Sequence, residues 1–355
     1  MVDPQGDAGF LMSGTSSRVQ PMRNYLLRRL LLMIPTLLGI TVITFVIMRV
    51  APGEPAAIAR TSMEGGGPVM QAGGQTDELI RAKKALLGLD KPIPVQYLIW
   101  VRRVMTLDFG ESFFYHQPVW TVIAEHIWPT LQINILTIVL VYLTAIPLGV
   151  GQAVRRGKLF DRATTVATFA LYASPTYWIG PMLLIFLCNP QYCNWFPSNG
   201  LNRQFAEELA FFPWLGDRLY HLVLPILCQS YGALAYLSKQ SRSGLLENLR
   251  ADYVRTARAK GVSQWSAVFR HALRNSVIPI ITIMAMILPS LIGGSIIIEM
   301  IFSIQGMGWL GFNAILQRDY PMIMATATIA AFLTLIGLLL QDLLYAWLDP
   351  RISYE

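Results

Sequence analysis

Six stretches of this chain are long and apolar enough to cross a bilayer as helices, which takes roughly 20 predominantly hydrophobic residues each. They cover residues 28–48, 131–154, 165–188, 219–238, 277–301 and 322–345, with charged side chains at or near their ends. Within hydrocarbon a helix satisfies its own backbone groups, so the expected fold class is an all-α membrane protein with six transmembrane helices. Pro35, Pro147, Pro175, Pro181, Pro225 and Pro289 fall inside these runs, and Gln229 lies in the fourth. Prolines are tolerated there when neighbouring helices satisfy the freed carbonyls, so kinked helices around a pathway are expected.

The composition fits. The 355 residues are 54% hydrophobic and 14% charged, too few ionic groups to build a soluble surface. The formal charge of +7 does not indicate nucleic acid, because Lys and Arg occupy short segments between apolar runs and form no groove-binding stripe. Cys188, Cys193 and Cys228 have no CxxC or Cys/His spacing and the four histidines are scattered, so no metal site is expected. No catalytic residue is assigned: HExxH and GxSxG patterns and paired intramembrane aspartates are missing. Gly157-Lys158 is not a phosphate loop, because Leu159 stands where a magnesium-binding Ser or Thr is needed.

Loop charge sets the orientation. The second connection carries Arg155, Arg156, Lys158 and Arg162 against Asp161 alone. The fourth carries Lys239, Arg242, Arg250, Arg255, Arg258, Lys260, Arg270 and Arg274 against Glu247 and Asp252. Both are expected in the cytoplasm, which with six spans places the N- and C-termini there too. The four basic residues of the second connection read first as topology determinants. Residues 51–127 then lie outside, where seven Lys/Arg face eight Asp/Glu. The expected organisation is a disordered extension at 1–21, a first span with its flank at 22–50, and an extracytoplasmic lobe at 51–127. A transmembrane core at 128–345 and a cytoplasmic tail at 346–355 complete it. The first run exceeds the apolar length of a cleaved signal, about 7 to 15 residues, and reads as a retained anchor. Within the lobe, helices are expected at 76–87, capped by Thr76 and stopped by Gly88, and at 95–105.

The loop at 239–276 is too polar to be embedded and too long for a turn. Leu249, Tyr253 and Ala257 recur at helical spacing, Gly261 can end a helix in the left-handed conformation, and Ser263 can cap the next. A basic, small-residue knob follows.

Here the residues carry a resemblance. Arg255-Thr256-Ala257, three residues, then Gly261 resembles the EAA loop of ATP-binding-cassette importer permeases. The longer string from Tyr253 to Gly261 and Arg270-His271-Ala272-Leu273-Arg274-Asn275 resembles the B-type dipeptide/oligopeptide branch. Motifs in the same order extend it after Met22: Ala51-Pro52-Gly53, Gly88 to Pro92, Asp108-Phe109-Gly110, Glu299 with Phe302 and Gly306-Met307-Gly308, Asp319-Tyr320-Pro321 and Asp349-Pro350-Arg351. The 302–311 segment and Trp195-Phe196-Pro197 are most similar to the Yej-type subgroup, importers of peptides and peptide-like microcins. Arg255 and Arg274 depart from the general pattern, which has Glu and Pro there.

The resemblance implies that Tyr253, Arg255, Thr256, Ala257, Gly261 and His271 couple to an ATPase. It further implies a heterodimer with a homologous permease subunit, two ATPase subunits or a fused ATPase, and an extracytoplasmic peptide-binding protein, in a bacterial inner membrane. The chain would bind no cofactor itself; ATP and Mg would sit on the ATPase. Gln132, Asn134, Ser174, Tyr177 and Gln229 line a pathway or hydrogen-bond within the bundle, and residue type does not choose between these. Glu299, with Gly306 and Gly308, is expected to have a structural role, as is Asp342, pairing with a neighbouring helix. Cys188 and Cys193 either form a local disulfide or stay free. The rival reading is an ATP-independent secondary transporter or channel, for which the apolar runs supply few buried charges.

Overall fold

A computed structural model describes residues 22–50, 90–276, 280 and 288–348. Among them there is no β-strand, only an isolated bridge between Glu111 and Pro118. The helices are α1 (Met22–Val50), α2 (Ile93–Met105), α3 (Val119–Val154), α4 (Leu159–Ala173), α5 (Thr176–Leu187) and α6 (Phe211–Leu249). After α7 (Asp252–Ala259) comes α8, in which Gln264–Ser266 continues through a π-helical turn, Ala267–Ala272, into Leu273–Ser276. Then follow α9 (Leu288–Gly293), α10 (Ile296–Ile301), α11 (Met307–Leu316) and α12 (Tyr320–Leu348).

The backbone of the bundle is a long parallel pair. α3 has 36 residues and α6 has 39, about 54 and 58 Å at 1.5 Å per residue. They stay in contact along three successive levels. Ile133 packs with Leu222, Leu224 and Cys228; Val141 and Ala145 pack with Leu237; and Val150 and Ala153 pack with Leu245. Close approach requires a glycine. A Cβ on Gly149 would lie 2.6 Å from Ser241 Cβ and 3.0 Å from the Arg242 backbone nitrogen. The C-terminal ends of α3 and α6 therefore share one end of the molecule, and so do the two basic connections that follow them. α1 lies against α12, and Arg29 Nη2 sits 2.9 Å from Asp342 Oδ2.

Among the described residues three helices, α1, α3 and α12, are apolar and long enough to cross a membrane, within Leu27–Val50, Val119–Val154 and Tyr320–Leu343. The third expected run is not one straight helix. α4 and α5 meet at 100°, because a residue preceding proline is pushed out of the α region: Ser174 takes φ −84°, ψ 122°, and Pro175 starts α5. Counted as one span, this pair makes four. α6 exceeds the expected 219–238 at both ends, yet its His221, Gln229, Ser230, Ser238 and Ser241 keep it out of the apolar set. The fifth run is also interrupted. Gly294, at φ +68°, separates α9 from α10, where Ser295 Oγ accepts from Ile298 N at 3.5 Å. Residues 277–279 and 281–287 of that run lie outside the described residues.

The expected outer helix at 95–105 is present as α2. The one at 76–87 lies outside the described residues, as do residues 1–21 and 349–355.

Gly149 supplies a stability test. Gly149→Val should lower the thermal unfolding midpoint of detergent-purified protein, because overpacking costs roughly 1–3 kcal/mol. Gly232→Val, in the same helix pair but with open space around its Cβ position, should shift the same midpoint far less.

Candidate functional site

The loop after α6 folds into a compact knob. α7 closes with Lys260 N donating to Thr256 O at 3.0 Å and Val262 N to Ala257 O at 3.2 Å. Gly261 makes the turn at φ +88°, a conformation L side chains rarely adopt. Ser263 Oγ then accepts from Ser266 N at 3.4 Å and starts α8. Val254, Ala267, Val268 and Ala272 are buried against Val150, Ala153 and Leu245, so the knob is seated on the shared end of α3 and α6.

Its outward surface is basic and aromatic. Tyr253 is exposed, and its OH donates to Asn248 Oδ1 at 2.7 Å. Arg255, Thr256, Arg258, Lys260 and Gly261 are exposed, while Ala257 and His271 are half-buried. The Thr256 hydroxyl donates to Asp252 O at 2.9 Å, within its own helix. Trp265 and Phe269 stack on this surface, ring centroids 5.8 Å apart at 17°, and both stand exposed. Sequence reasoning did not select this pair, although its i, i+4 spacing was visible.

Of the five pathway candidates, two meet. Gln229 Nε2 donates to Asn134 Oδ1, and Asn134 Nδ2 donates to Leu291 O at 2.8 Å, in the last turn of α9. Ser174 marks the α4–α5 bend: its carbonyl accepts from the Tyr231 hydroxyl at 2.8 Å, and Thr176 Oγ1 lies 3.1 Å from that same hydroxyl. Tyr177 is exposed on α5, and Gln132 is half-buried on α3.

Glu299 is 2% exposed and organises the turn after α10. Oε1 accepts from Thr130 Oγ1 at 2.9 Å, and Oε2 accepts from Trp309 N at 2.7 Å, in the first turn of α11. Met307 N donates to Thr130 Oγ1 at 2.7 Å. A carboxylate at a helix N-terminus satisfies amides that would otherwise lack partners. Glycines make room for it: a Cβ on Gly306 would fall 2.5 Å from Glu299 Cδ, and one on Gly308 would fall 2.7 Å from Ile296 N.

Asp319 plays a comparable part at the start of α12, though it was quoted only within a motif. Fully buried, it accepts from the Ser112 hydroxyl, from Phe113 N at 3.1 Å, from Phe114 N at 3.2 Å and from Met322 N at 3.3 Å. The segment after Asp108-Phe109-Gly110 and the Asp319-Tyr320-Pro321 motif are thus in direct contact. Cys188 is buried with Sγ 3.4 Å from Pro197 O, Cys193 is exposed, and both are free thiols here. No group of three or more His, Cys, Asp or Glu among the described residues could hold a metal ion.

Residues 145–354 match the family described as the binding-protein-dependent transport system inner membrane component, and residues 22–134 match its N-terminal part. The chain belongs to this family. It is 38% identical over 334 residues to the oligopeptide transport system permease protein AppB of Bacillus subtilis (strain 168), covering 94% of this chain and 100% of that protein. The inner membrane ABC transporter permease protein YejB of Escherichia coli O157:H7 is 34% identical, covering 94% and 100%. The dipeptide transport system permease protein DppB of Escherichia coli (strain K12) is also 34% identical, again covering 94% and 100%. As an integral membrane component of this family, the chain is the membrane part of a transport system and not its catalytic subunit.

For this membrane component, Glu299→Ala should lower the unfolding midpoint markedly, since each buried group left unpaired costs roughly 1–3 kcal/mol. Glu299→Gln, keeping one acceptor oxygen, should fall between it and the wild type in the same melting experiment.

Proposed function

We propose that the chain is the pathway-forming and lever-bearing subunit of an ATP-driven importer of peptides. The observation that carries this reading is the basic and aromatic knob at 252–276, seated on the ends of the two longest helices of a family member. An outward face of this kind suits a partner that supplies energy, and among the described residues no group of three or more His, Cys, Asp or Glu could hold a metal ion. The peptide assignment draws on relatives named for oligopeptide and dipeptide transport.

In this reading six spans cross a bacterial inner membrane, with both termini and the knob in the cytoplasm and the 51–127 lobe outside. A homologous permease completes the pathway. Two ATPase subunits, or a fused one, hold ATP and Mg and grip the knob through Tyr253, Arg255, Thr256, Ala257, Gly261 and His271. A peptide-binding protein delivers substrate from outside. Closure of the ATPase pair pushes the knob, and the α3–α6 frame passes that push along its length, so that the pathway opens alternately to the two sides. Asn134 and Gln229, near the middle of the frame, together with Gln132, Ser174 and Tyr177, are the candidate pathway groups.

Copurification in mild detergent is the test: a bound ATPase is the expected result, and a chain that transports without one would sink the assignment. Gly261→Pro should abolish ATP-driven peptide uptake while membrane abundance stays normal, because proline fixes φ near −65° where the turn needs +88°. Ala257→Trp should do the same by enlarging the docking face. Undiminished uptake by either variant would remove the knob from the mechanism.

A further inference from the structure

Of the fifteen residues of α4, only Asp161 is buried. Val166, Phe169 and Tyr172 of the same helix stand 60–70% exposed, so apolar packing does little to fix its position. Polar contacts hold it instead. Arg242 of α6 grips Asp161 in a bidentate pair, Nε to Oδ1 at 2.8 Å and Nη2 to Oδ2 at 3.0 Å. Gly157 N donates to Oδ2 at 2.9 Å, closing the preceding turn, whose Gly157 sits at φ +76°. One turn further along α4, Thr164 Oγ1 accepts from Nε2 of Gln152, a residue of α3 that is 2% exposed. At the far end of α4, Tyr231 holds the bend.

These contacts have a common origin. Arg242 is three residues before Leu245, which is buried under the knob, and its backbone nitrogen lies where Gly149 brings α3 onto α6. The knob, the Gly149 contact and Arg242 therefore occupy one stiff block, and the ion pair leads from it to the bent pair α4–α5.

We propose that the Asp161–Arg242 pair is the strut through which displacement of the knob reaches the bent pair, making both residues positioning residues for energy coupling. A planar guanidinium held at two oxygens fixes direction as well as distance, which a single contact does not. The proposal rests on the reading that the knob receives the ATPase stroke.

The test uses the whole importer, reconstituted in liposomes with its partner permease, ATPases and binding protein. It compares Asp161→Asn, Arg242→Gln and Arg242→Lys, with a radiolabelled tripeptide that the wild-type complex imports as probe. Asp161→Asn and Arg242→Gln should keep ATPase copurification and basal ATP hydrolysis near wild type, while the thermal midpoint falls by no more than one lost buried contact entails. Uptake per ATP should fall by roughly tenfold or more, the scale of one charge-assisted contact, and Arg242→Lys should recover part of it. Unchanged uptake with Arg242→Gln would overturn the strut. Loss of assembly or of membrane abundance in step with uptake would also overturn it, assigning the pair to folding. Failure of the wild-type chain to bind any ATPase would instead overturn the coupling reading beneath it.

Discussion

Backbone groups freed by a break in a helix must find partners, and in a membrane protein there is little water to supply them. Among the described residues two such breaks, at Ser174-Pro175 and at Gly294-Ser295, interrupt apolar runs, and at each a side chain from a continuous helix intervenes. Tyr231 of α6 bonds the Ser174 carbonyl. Asn134 of α3 bonds the Leu291 carbonyl, three residues before Gly294, and Thr130 of α3 joins Glu299 in organising the turn beyond α10. The parallel pair α3–α6 is thus a frame, and the interrupted elements are fastened to it by hydrogen bonds rather than by packing alone. Such fastenings have discrete made and unmade states, which suits a protein that must change shape.

Much of this was legible in the residues. Runs of uniform apolarity gave α1, α3 and α12, and the helical spacing of Leu249, Tyr253 and Ala257, with Gly261 and Ser263, gave α7, its turn and the start of α8. What the sequence could not show was direction after a break. Pro175 was visible, but a proline is equally compatible with a mild kink and with a 100° bend, and Tyr231, whose hydroxyl donates to the Ser174 carbonyl at the bend, lies 57 residues away in sequence. The lengths of α3 and α6 were hidden because both run beyond the apolar band into segments where polar residues mask the helix.

The buried carboxylates were harder still. Asp161 reads in sequence as the one acid among four bases, a surface residue on charge pattern alone, yet it is 4% exposed. Its burial depends on Arg242, 81 residues away. Asp319 was visible only as part of a motif, although an acid just before Tyr320-Pro321 and an apolar run is a recognisable helix-capping pattern. Glu299 was noticed because a charge within an apolar run attracts attention, and its glycine-lined seat explains why Gly306 and Gly308 travel with it. In each case the chemistry was in the sequence and the partner was in the fold.

Ser112 and Asp319 are separated by 207 residues. A chain made from its N-terminus presents the segment at 110–118 long before the helix that anchors it exists, so this contact belongs to the last stage of assembly. Until α12 is in place, the amides of Phe113 and Phe114 have no Asp319 carboxylate to bond, and the segment at 110–118 is left untied. The Ser112–Asp319 contact is therefore a marker of completion: a polypeptide truncated before α12 can contain every other helix and still leave this segment unanchored.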